Sequence, residues 1–188
     1  SQTTLNIKEP GLNILPPGVE RHVVNAGGLT GLQIFPDDEI EIVNDEGNQI
    51  CEIICFDKDG KSELGILNQK ENGKINFIKE MLNKKDESSL ITNLQLKKRN
   101  LDINKSKSSI LFDDKTPCGE TIKIKSKDKC YVIFSAPQND MLVSEQNPSS
   151  DLTIFIKRSK IINDKELSII PDPVFEPNYE KNIDRETS

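Results

Sequence analysis

Short runs of apolar residues, separated by turn-forming residues, dominate the chain between residues 13 and 162. From Glu39 to Val43, polar and apolar residues alternate, which predicts a strand with one buried and one exposed face. From Gln49 to Phe56 the chain is almost continuously apolar, which is typical of a central strand buried on both faces. Further strands are predicted at Val19–Asn25, Gly31–Phe35, Ser109–Phe112, Glu120–Lys125, Lys129–Ser135 and Asp151–Lys157.

The pattern changes around residues 74–104, where apolar residues recur at spacings of three and four. This period predicts two short helices. Ser88 or Ser89 is the expected N-cap of the second helix, and the basic run 97–99 near its end complements the helix dipole. The apolar positions are Ile75, Ile78 and Leu82 in the first helix, and Leu90, Leu94 and Leu101, which keep one face, in the second.

Several short strands with one helical insertion predict a mainly β domain, either a β-sandwich or a partly closed barrel. We assign residues 1–12 to an N-terminal arm and residues 13–162 to the β-rich domain with its two-helix insertion. Residues 163–188 are polar and rich in proline, so they predict an extended C-terminal arm or linker that leads to a following domain or a partner chain.

Composition limits the possible partners. The chain has 188 residues, of which 34% are hydrophobic, and a formal net charge of −6. An acidic protein has no general electrostatic attraction to phosphate, so nucleic acids and anionic membranes are not expected partners. No apolar run approaches the length of a transmembrane helix, and the first residues lack the layout of a signal peptide. We therefore expect a soluble cytoplasmic protein.

The four cysteines, Cys51, Cys55, Cys118 and Cys130, have spacings that match no strong zinc or redox template. Reduced, buried thiols are the expected state, because a free cysteine behaves as a small core residue. A metal enzyme that uses Cys118 and Cys130 stays open as an alternative.

His22 is the only histidine, and it lies inside a predicted strand. A general base needs a nucleophile and an orienting carboxylate, and the sequence places neither beside it. We therefore expect His22 to be structural. Gly27-Gly28-x-x-Gly31 lacks the lysine of a phosphate loop and precedes a strand, so it predicts a β-turn.

Charged clusters have both structural and binding interpretations. The acidic stretches at 37–39, 57–60 and 113–114 could hold a divalent cation weakly, but ordinary turn chemistry is the simpler interpretation. Lys97-Lys98-Arg99 could contact an anion, although a solvated helix face is the preferred explanation. From the residues alone we identify no catalytic and no metal-binding residue.

A series of short motifs carries a family resemblance. In order, these motifs resemble the N-terminal region of bacterial trimethylamine N-oxide demethylases and multidomain aminomethyltransferase-like proteins, and the resemblance covers residues 13–188. The motifs are Gly18–Asn25, Phe35–Ile42, Asp45–Gln49, Phe56-Asp57, Thr116–Glu120, Ser135–Pro137, Asp151–Thr153 and Pro171–Pro177.

The resemblance implies a β-rich front unit, followed by a related unit of the urea carboxylase-associated type and a folate-binding aminomethyltransferase region. In that family, zinc held by cysteine thiolates converts trimethylamine N-oxide to dimethylamine and formaldehyde, and tetrahydrofolate can capture the formaldehyde. The zinc and its substrate belong to the second unit.

This chain departs from the catalytic pattern at two positions. Cys51 lies one position away from the cysteine of the second unit, and Pro137 stands where that unit has a cysteine ligand. The resemblance therefore implies a degenerate, non-catalytic copy of the fold, with zinc and tetrahydrofolate in the neighbouring units. Its implied partners are the catalytic and folate-binding domains or chains of the same enzyme, in an oligomer.

Two hypotheses follow. The chain is either a structural and assembly domain or subunit of such an enzyme, or a free-standing β-sandwich that binds a small molecule or a protein. Stable behaviour of the isolated chain, with no exposed apolar patch, favours the second hypothesis.

Overall fold

The computed structural model describes residues 14–72, 76–138 and 148–160. The predicted arms, residues 1–12 and 163–188, and the predicted helix position Ile75 lie outside these residues, and the domain boundaries stay predictions. The strands are β1 Val19–Val24, β2 Leu29–Ile34, β3 Glu39–Asn44, β4 Cys51–Asp57, β5 Ser108–Leu111, β6 Thr121–Lys125, β7 Cys130–Ser135 and β8 Leu152–Lys157; the helices are α1 Phe77–Met81 and α2 Glu87–Lys98, with 3-10 turns at Leu64–Leu67 and Ile103–Lys105.

The strands form two four-stranded antiparallel sheets. Sheet one has the order β1-β8-β3-β6, and sheet two has the order β2-β7-β4-β5. Strands that follow one another in the chain therefore lie in opposite sheets, except for the pair β4 and β5, and this alternation is typical of a double-sheet jelly roll. The prediction of a mainly β, sandwich-like fold is confirmed, and the described strands do not close into a barrel.

The main core lies between the two sheets. Ile40 and Ile42, the apolar positions of the alternating pattern, are buried there. Strand β4 is an inner strand of sheet two, and every residue from Cys51 to Phe56 is buried, as its continuous apolar run predicts. Its residues point alternately to the two sides of sheet two. Ile53 packs in the core between the sheets, and Ile54 packs in a second core under the helices.

Helices α1 and α2 cover the outer side of sheet two, where Ile78 and Met81 pack on Ile54 and Ile133. The two-helix insertion is confirmed, but the leucines predicted to share one face differ in burial, since Leu101 packs against the core under the helices and Leu90 does not. Leu90 is 53% exposed, whereas Leu96 and three polar residues of α2 are buried. These polar residues are Ser89, Thr92 and Gln95.

The predicted N-cap of α2 is also wrong, because the helix begins earlier in the chain. Asp86 is the N-cap, and its Oδ1 accepts a hydrogen bond of 2.9 Å from the backbone N–H of Ser89. The Ser89 hydroxyl donates back to the Asp86 carbonyl. A carboxylate at this position also interacts favourably with the helix dipole, which explains why the aspartate, rather than a serine, caps the helix.

A buried carboxylate connects sheet two to α1. Glu52 is fully buried on the outer side of sheet two. Its Oε1 accepts from the Ile78 N–H at 2.7 Å, and its Oε2 accepts from the Ser108 hydroxyl at 2.6 Å. Burial raises the pKa of Glu52, because the charged form loses its hydration.

We expect Glu52→Gln to remove part of the pH dependence of stability. Because the pKa of Glu52 is raised in the folded chain, the contribution of this side chain to the unfolding free energy is complete below pH ~4.5. That contribution is lost as pH rises through the folded-state pKa. The unfolding free energy of the variant should therefore rise relative to wild type between pH 4 and pH 7. Urea unfolding at each pH measures this difference, and a constant difference would contradict the prediction. Glu52→Met, which leaves Ser108 and the Ile78 N–H unpaired, should instead cost ~1–3 kcal/mol.

In the described part of the chain, no helix has the length and apolar character needed to cross a membrane.

Candidate functional site

Four of the eight motifs that carry the family resemblance meet at one end of the sandwich, here called the motif end; the motif at Pro171–Pro177 lies outside the described residues. The motif end consists of the loops around Asp45–Gln49, Thr116–Glu120, Ser135–Pro137 and Asp151–Thr153. Asp45 joins two of them, because its Oδ2 accepts from the Thr153 hydroxyl at 2.7 Å and its carbonyl accepts from the Cys118 thiol at 3.1 Å. Motifs far apart in sequence therefore interlock in space.

Gln49 connects two more of these loops and is almost fully buried. Its Nε2 donates to the carbonyls of Pro137 and Ile50, each at 2.8 Å. Its Oε1 accepts from the Ser150 N–H at 2.8 Å. Both polar atoms of this side chain hold loop backbone, so Gln49 offers no group to a substrate. Its role at the motif end is structural.

Gly47 allows the closest backbone approach at the motif end. Its φ is +82°, and a Cβ atom there would lie 2.7 Å from both the Thr116 carbonyl oxygen and the Cys118 N–H nitrogen. The adjacent Asn48 N–H donates to the same Thr116 carbonyl at 2.8 Å. Only glycine suits both this left-handed backbone conformation and this contact.

The opposite end is closed by an ion-pair network, here called the arginine network. The Arg158 guanidinium binds Glu20 through Nε and Nη2, both at 2.9 Å, and binds Asp38 Oδ2 through Nη1 at 2.7 Å. The Arg158 side chain is 6% exposed and that of Asp38 is fully buried. Asp38 also accepts from the backbone N–H groups of Phe35 and Ser159. The network thus fixes β8 against β1 and β3.

His22 contacts the same network and lies on β1, an edge strand. Its Nε2 lies 2.9 Å from Glu20 Oε1, and its backbone pairs with Ile154 of β8. Burial alone would raise the pKa of Glu20, but the hydrogen bonds from His22 and Arg158, with the charge of the guanidinium, lower it to about 2. The described side-chain partner of His22 is thus the Glu20 carboxylate, and its structural role stays a prediction.

The thiols do not form a metal centre in the described part of the chain. Cys51, Cys55 and Cys130 are buried in the core as predicted, whereas Cys118 is exposed, so the prediction of a buried thiol is wrong there. Burial raises the pKa of Cys51 to about 12, which makes it a poor ligand and nucleophile.

Cys118 and Cys130 lie beyond opposite ends of β6, so the fold does not bring together the pair needed by the metal-enzyme alternative. Pro137 is buried, and its carbonyl is already bound by Gln49. Among the described residues, no group of three or more His, Cys, Asp and Glu side chains could hold a metal ion. The residues in the described ranges therefore do not fit zinc.

The space between the two sheets is filled by side chains. Phe134 and the isoleucines of both sheets are fully buried there and pack against one another. Close-packed apolar side chains leave no polar group in position to bind or polarise a substrate.

The outer side of sheet one, here called the outer face, is an uncovered surface in the described part of the chain. It holds a groove of about 540 Å³. Phe155 forms its centre, flanked in register by Glu41 and then Lys123 on the neighbouring strands. The other lining residues include Leu15, Pro16, Val19, Glu39, Lys125 and Lys157.

The charged motifs divide between turn roles and contacts elsewhere in the fold, as Asp38 in the arginine network already shows. Asp57 Oδ1 accepts from the N–H groups of Asp59 and Lys61, as turn chemistry predicts. Lys97 is exposed on α2, but Arg99 is half-buried against sheet two and does not belong to a solvated face. No local pattern signals this position of Arg99, because the aromatic ring that it contacts lies on β7.

Comparison with known proteins agrees with the motif resemblance. Trimethylamine-oxide aldolase from Ruegeria pomeroyi is 32% identical to this chain over 171 residues, which cover 91% of the chain and 22% of that protein. The chain thus spans about a fifth of the length of this curated relative. No family model matches the chain. A DUF1989 family protein from Silicibacter pomeroyi superposes with a TM-score of 0.47 at 11% identity, over 83% of each chain.

Proposed function

We propose that this chain is a non-catalytic structural and assembly unit of a trimethylamine N-oxide demethylase-like enzyme. The whole enzyme, with its folate-linked aminomethyltransferase-like region, would convert trimethylamine N-oxide to dimethylamine and formaldehyde. Similarity to part of a trimethylamine-oxide aldolase supports the association. The observation that carries the non-catalytic role is the filled space between the sheets, because it leaves no room for a substrate inside the sandwich.

The motif end supports the same conclusion. Its side chains bind loop backbone and one another, as Asp45 and Gln49 do. Residues that maintain the fold, rather than bind a substrate, are expected to make such contacts with loop backbone. We place zinc in a neighbouring unit of the enzyme, since the described side chains here do not fit a metal ion. We also place tetrahydrofolate in a neighbouring unit, and the whole enzyme in the cytoplasm.

The outer face is the surface that we assign to assembly. Helices cover sheet two, but no described element covers Phe155 and the groove around it. Most of the relative's length lies outside the region of similarity. We therefore propose that the neighbouring unit of the same enzyme occupies the outer face, in an oligomer.

Charge reversal on the outer face tests the assembly role. In the full enzyme, Lys123→Glu with Lys157→Glu should dissociate or misassemble the oligomer, because both exposed lysines border the groove. Leu90→Asp is the matched control, since this exposed leucine lies on α2, on the far side of sheet two. Size-exclusion chromatography with light scattering measures the mass of the oligomer. Thermal unfolding of the 188-residue chain with the same substitutions verifies that each variant is folded. An unchanged oligomer with both lysines reversed would refute the assignment of the outer face.

A second candidate function, a small-molecule binding module, is favoured by one observation: the surroundings of Arg99, which are independent of the assembly role.

A further inference from the structure

Arg99 lines a recess of about 420 Å³ at the C-terminal end of α2. Its guanidinium lies over the ring of Tyr131 on β7, 4.0 Å from the ring centroid. Its Nη1 donates to Gln33 Oε1 at 2.9 Å. Gln33 is itself fixed, because its Nε2 donates to the carbonyls of Ile34 and Cys130. The orientation of the guanidinium is therefore determined by the rigid sheet beneath it.

The other edge of this guanidinium has no partner among the described residues. The Nε and Nη2 atoms of Arg99 are buried and make no hydrogen bond, and the hydroxyl of Tyr131 is buried and unpaired as well. Arg158 provides the contrast, since its guanidinium binds two carboxylates. A buried cation without a counter-ion is costly, and burial lowers the pKa of Arg99. An anion at this edge would remove that cost.

The unpaired atoms define the chemistry of that anion. Nε and Nη2 form one edge of the guanidinium, whose two parallel N–H groups match the two oxygens of a carboxylate. Two exposed lysines, Lys58 and Lys129, and two carboxylates, Asp57 and Asp59, line the same recess. Asp57 Oδ1 already accepts two backbone N–H groups, so the unpaired charge inside the recess is that of Arg99. The C-terminal end of α2 carries a partial negative charge, which disfavours a dianion such as phosphate more than a singly charged group.

We propose that this recess binds a small organic carboxylate, held bidentately by Nε and Nη2 of Arg99 over the Tyr131 ring. The recess volume falls within the ~300–1,000 Å³ typical of small-molecule sites. Because the donor edge is closed to solvent in the unliganded chain, binding requires a shift of the exposed side chains that line the recess. Two charge-assisted hydrogen bonds to a desolvated cation offset the cost of that shift.

Nuclear magnetic resonance of the arginine Nε–H groups tests this site in the 188-residue chain. The chain has only four arginines, Arg21, Arg99, Arg158 and Arg185, so each signal can be assigned by substitution to lysine. Titration with acetate and with propionate, at constant ionic strength, should move the Arg99 Hε signal downfield and saturate. Arg21, which is exposed on β1, should show no saturable shift.

Arg99→Lys keeps the charge but removes the two-donor edge, so it should weaken binding at least ~10-fold, while Arg21→Lys leaves it unchanged. Arg99→Met guards against a folding defect: it should unfold no earlier than wild type without ligand, and propionate should no longer raise its melting temperature. No saturable shift at Arg99, equal binding by Arg99→Lys, or a response to inorganic phosphate alone would overturn the proposal. So would a response only to N-acetyl-glutamate amide, which would place the carboxylate on a protein side chain.

Discussion

Replacing Arg158 with methionine is expected to lower the free energy of unfolding at pH 7 by about 3 kcal/mol. The substitution leaves the buried Asp38 carboxylate and the partly buried Glu20 carboxylate without their shared cation. An uncompensated buried charge costs more than the ion pair contributes, which is why the loss is large. Urea unfolding followed by circular dichroism measures it. Lys157→Met is the matched control, because this adjacent lysine is exposed and should change stability by less than ~0.5 kcal/mol.

The same substitution should alter acid stability with a defined sign. Glu20 has its pKa lowered from 4.5 to about 2 in the folded chain. Its contribution to stability is therefore complete above pH ~4.5 and is lost as pH falls toward 2. The difference between wild type and Arg158→Met should be largest at neutral pH and should shrink near pH 2. A loss below ~1 kcal/mol at pH 7, or an equal loss at both pH values, would count against a charge-pairing role for the network.

The strands could be predicted from the sequence because their signal is local. The alternation at Ile40 and Ile42 and the continuous run of β4 each report burial on one or both faces of the same strand. Their pairing could not be predicted, because β1 pairs with the distant β8, as Val24 does with Leu152. A jelly roll is specified by such long-range pairs, for which a single sequence carries no local pattern.

The buried face of α2 could not be predicted because polar residues form much of it. Small polar side chains such as Ser89 and Thr92 are buried. The Thr92 hydroxyl donates a hydrogen bond to the Ser88 carbonyl, so its hydrogen-bonding need is met within the helix. Leucine spacing alone therefore does not identify the buried face. The burial of Arg99 could not be predicted either, because the residues that it contacts, Tyr131 and Gln33, are distant in sequence and lie on β7 and β2.

The candidate site was partly predictable. The sequence indicated that Pro137 cannot replace a thiolate ligand, and the structure adds that its carbonyl binds Gln49. The separation of Cys118 from Cys130 depends on the path of β6 and was beyond sequence reasoning. The motifs that connect this chain with an enzyme family thus explain the fold of its loops, and in the described residues they carry no visible chemistry of their own.

Gly47→Ala tests whether the motif end is held by close backbone contact. We expect it to lower the unfolding free energy by about 3 kcal/mol, from ~1 kcal/mol for a left-handed backbone conformation and ~2 kcal/mol for overpacking. The new Cβ would lie 2.7 Å from backbone atoms of Thr116 and Cys118, which cannot turn away as a flexible side chain would. Relief would require the loop at 116–118 to move, at the expense of the hydrogen bond from Asn48 to Thr116.

Gly119→Ala separates the two contributions, because Gly119 has nearly the same φ, +81°, and nothing lies within 4 Å of the position that its Cβ would take. Its substitution carries the conformational cost alone and should lower stability by only ~1 kcal/mol. Urea unfolding of both variants gives the difference, and hydrogen exchange of the Asn48 amide shows whether the loop contact has opened. Equal losses for the two variants would mean that backbone conformation, rather than the packing of Gly47 against Thr116, governs the motif end. A larger loss of unfolding free energy for Gly47→Ala, with faster exchange of the Asn48 amide, would mean that these motifs hold the loops together by close backbone contact.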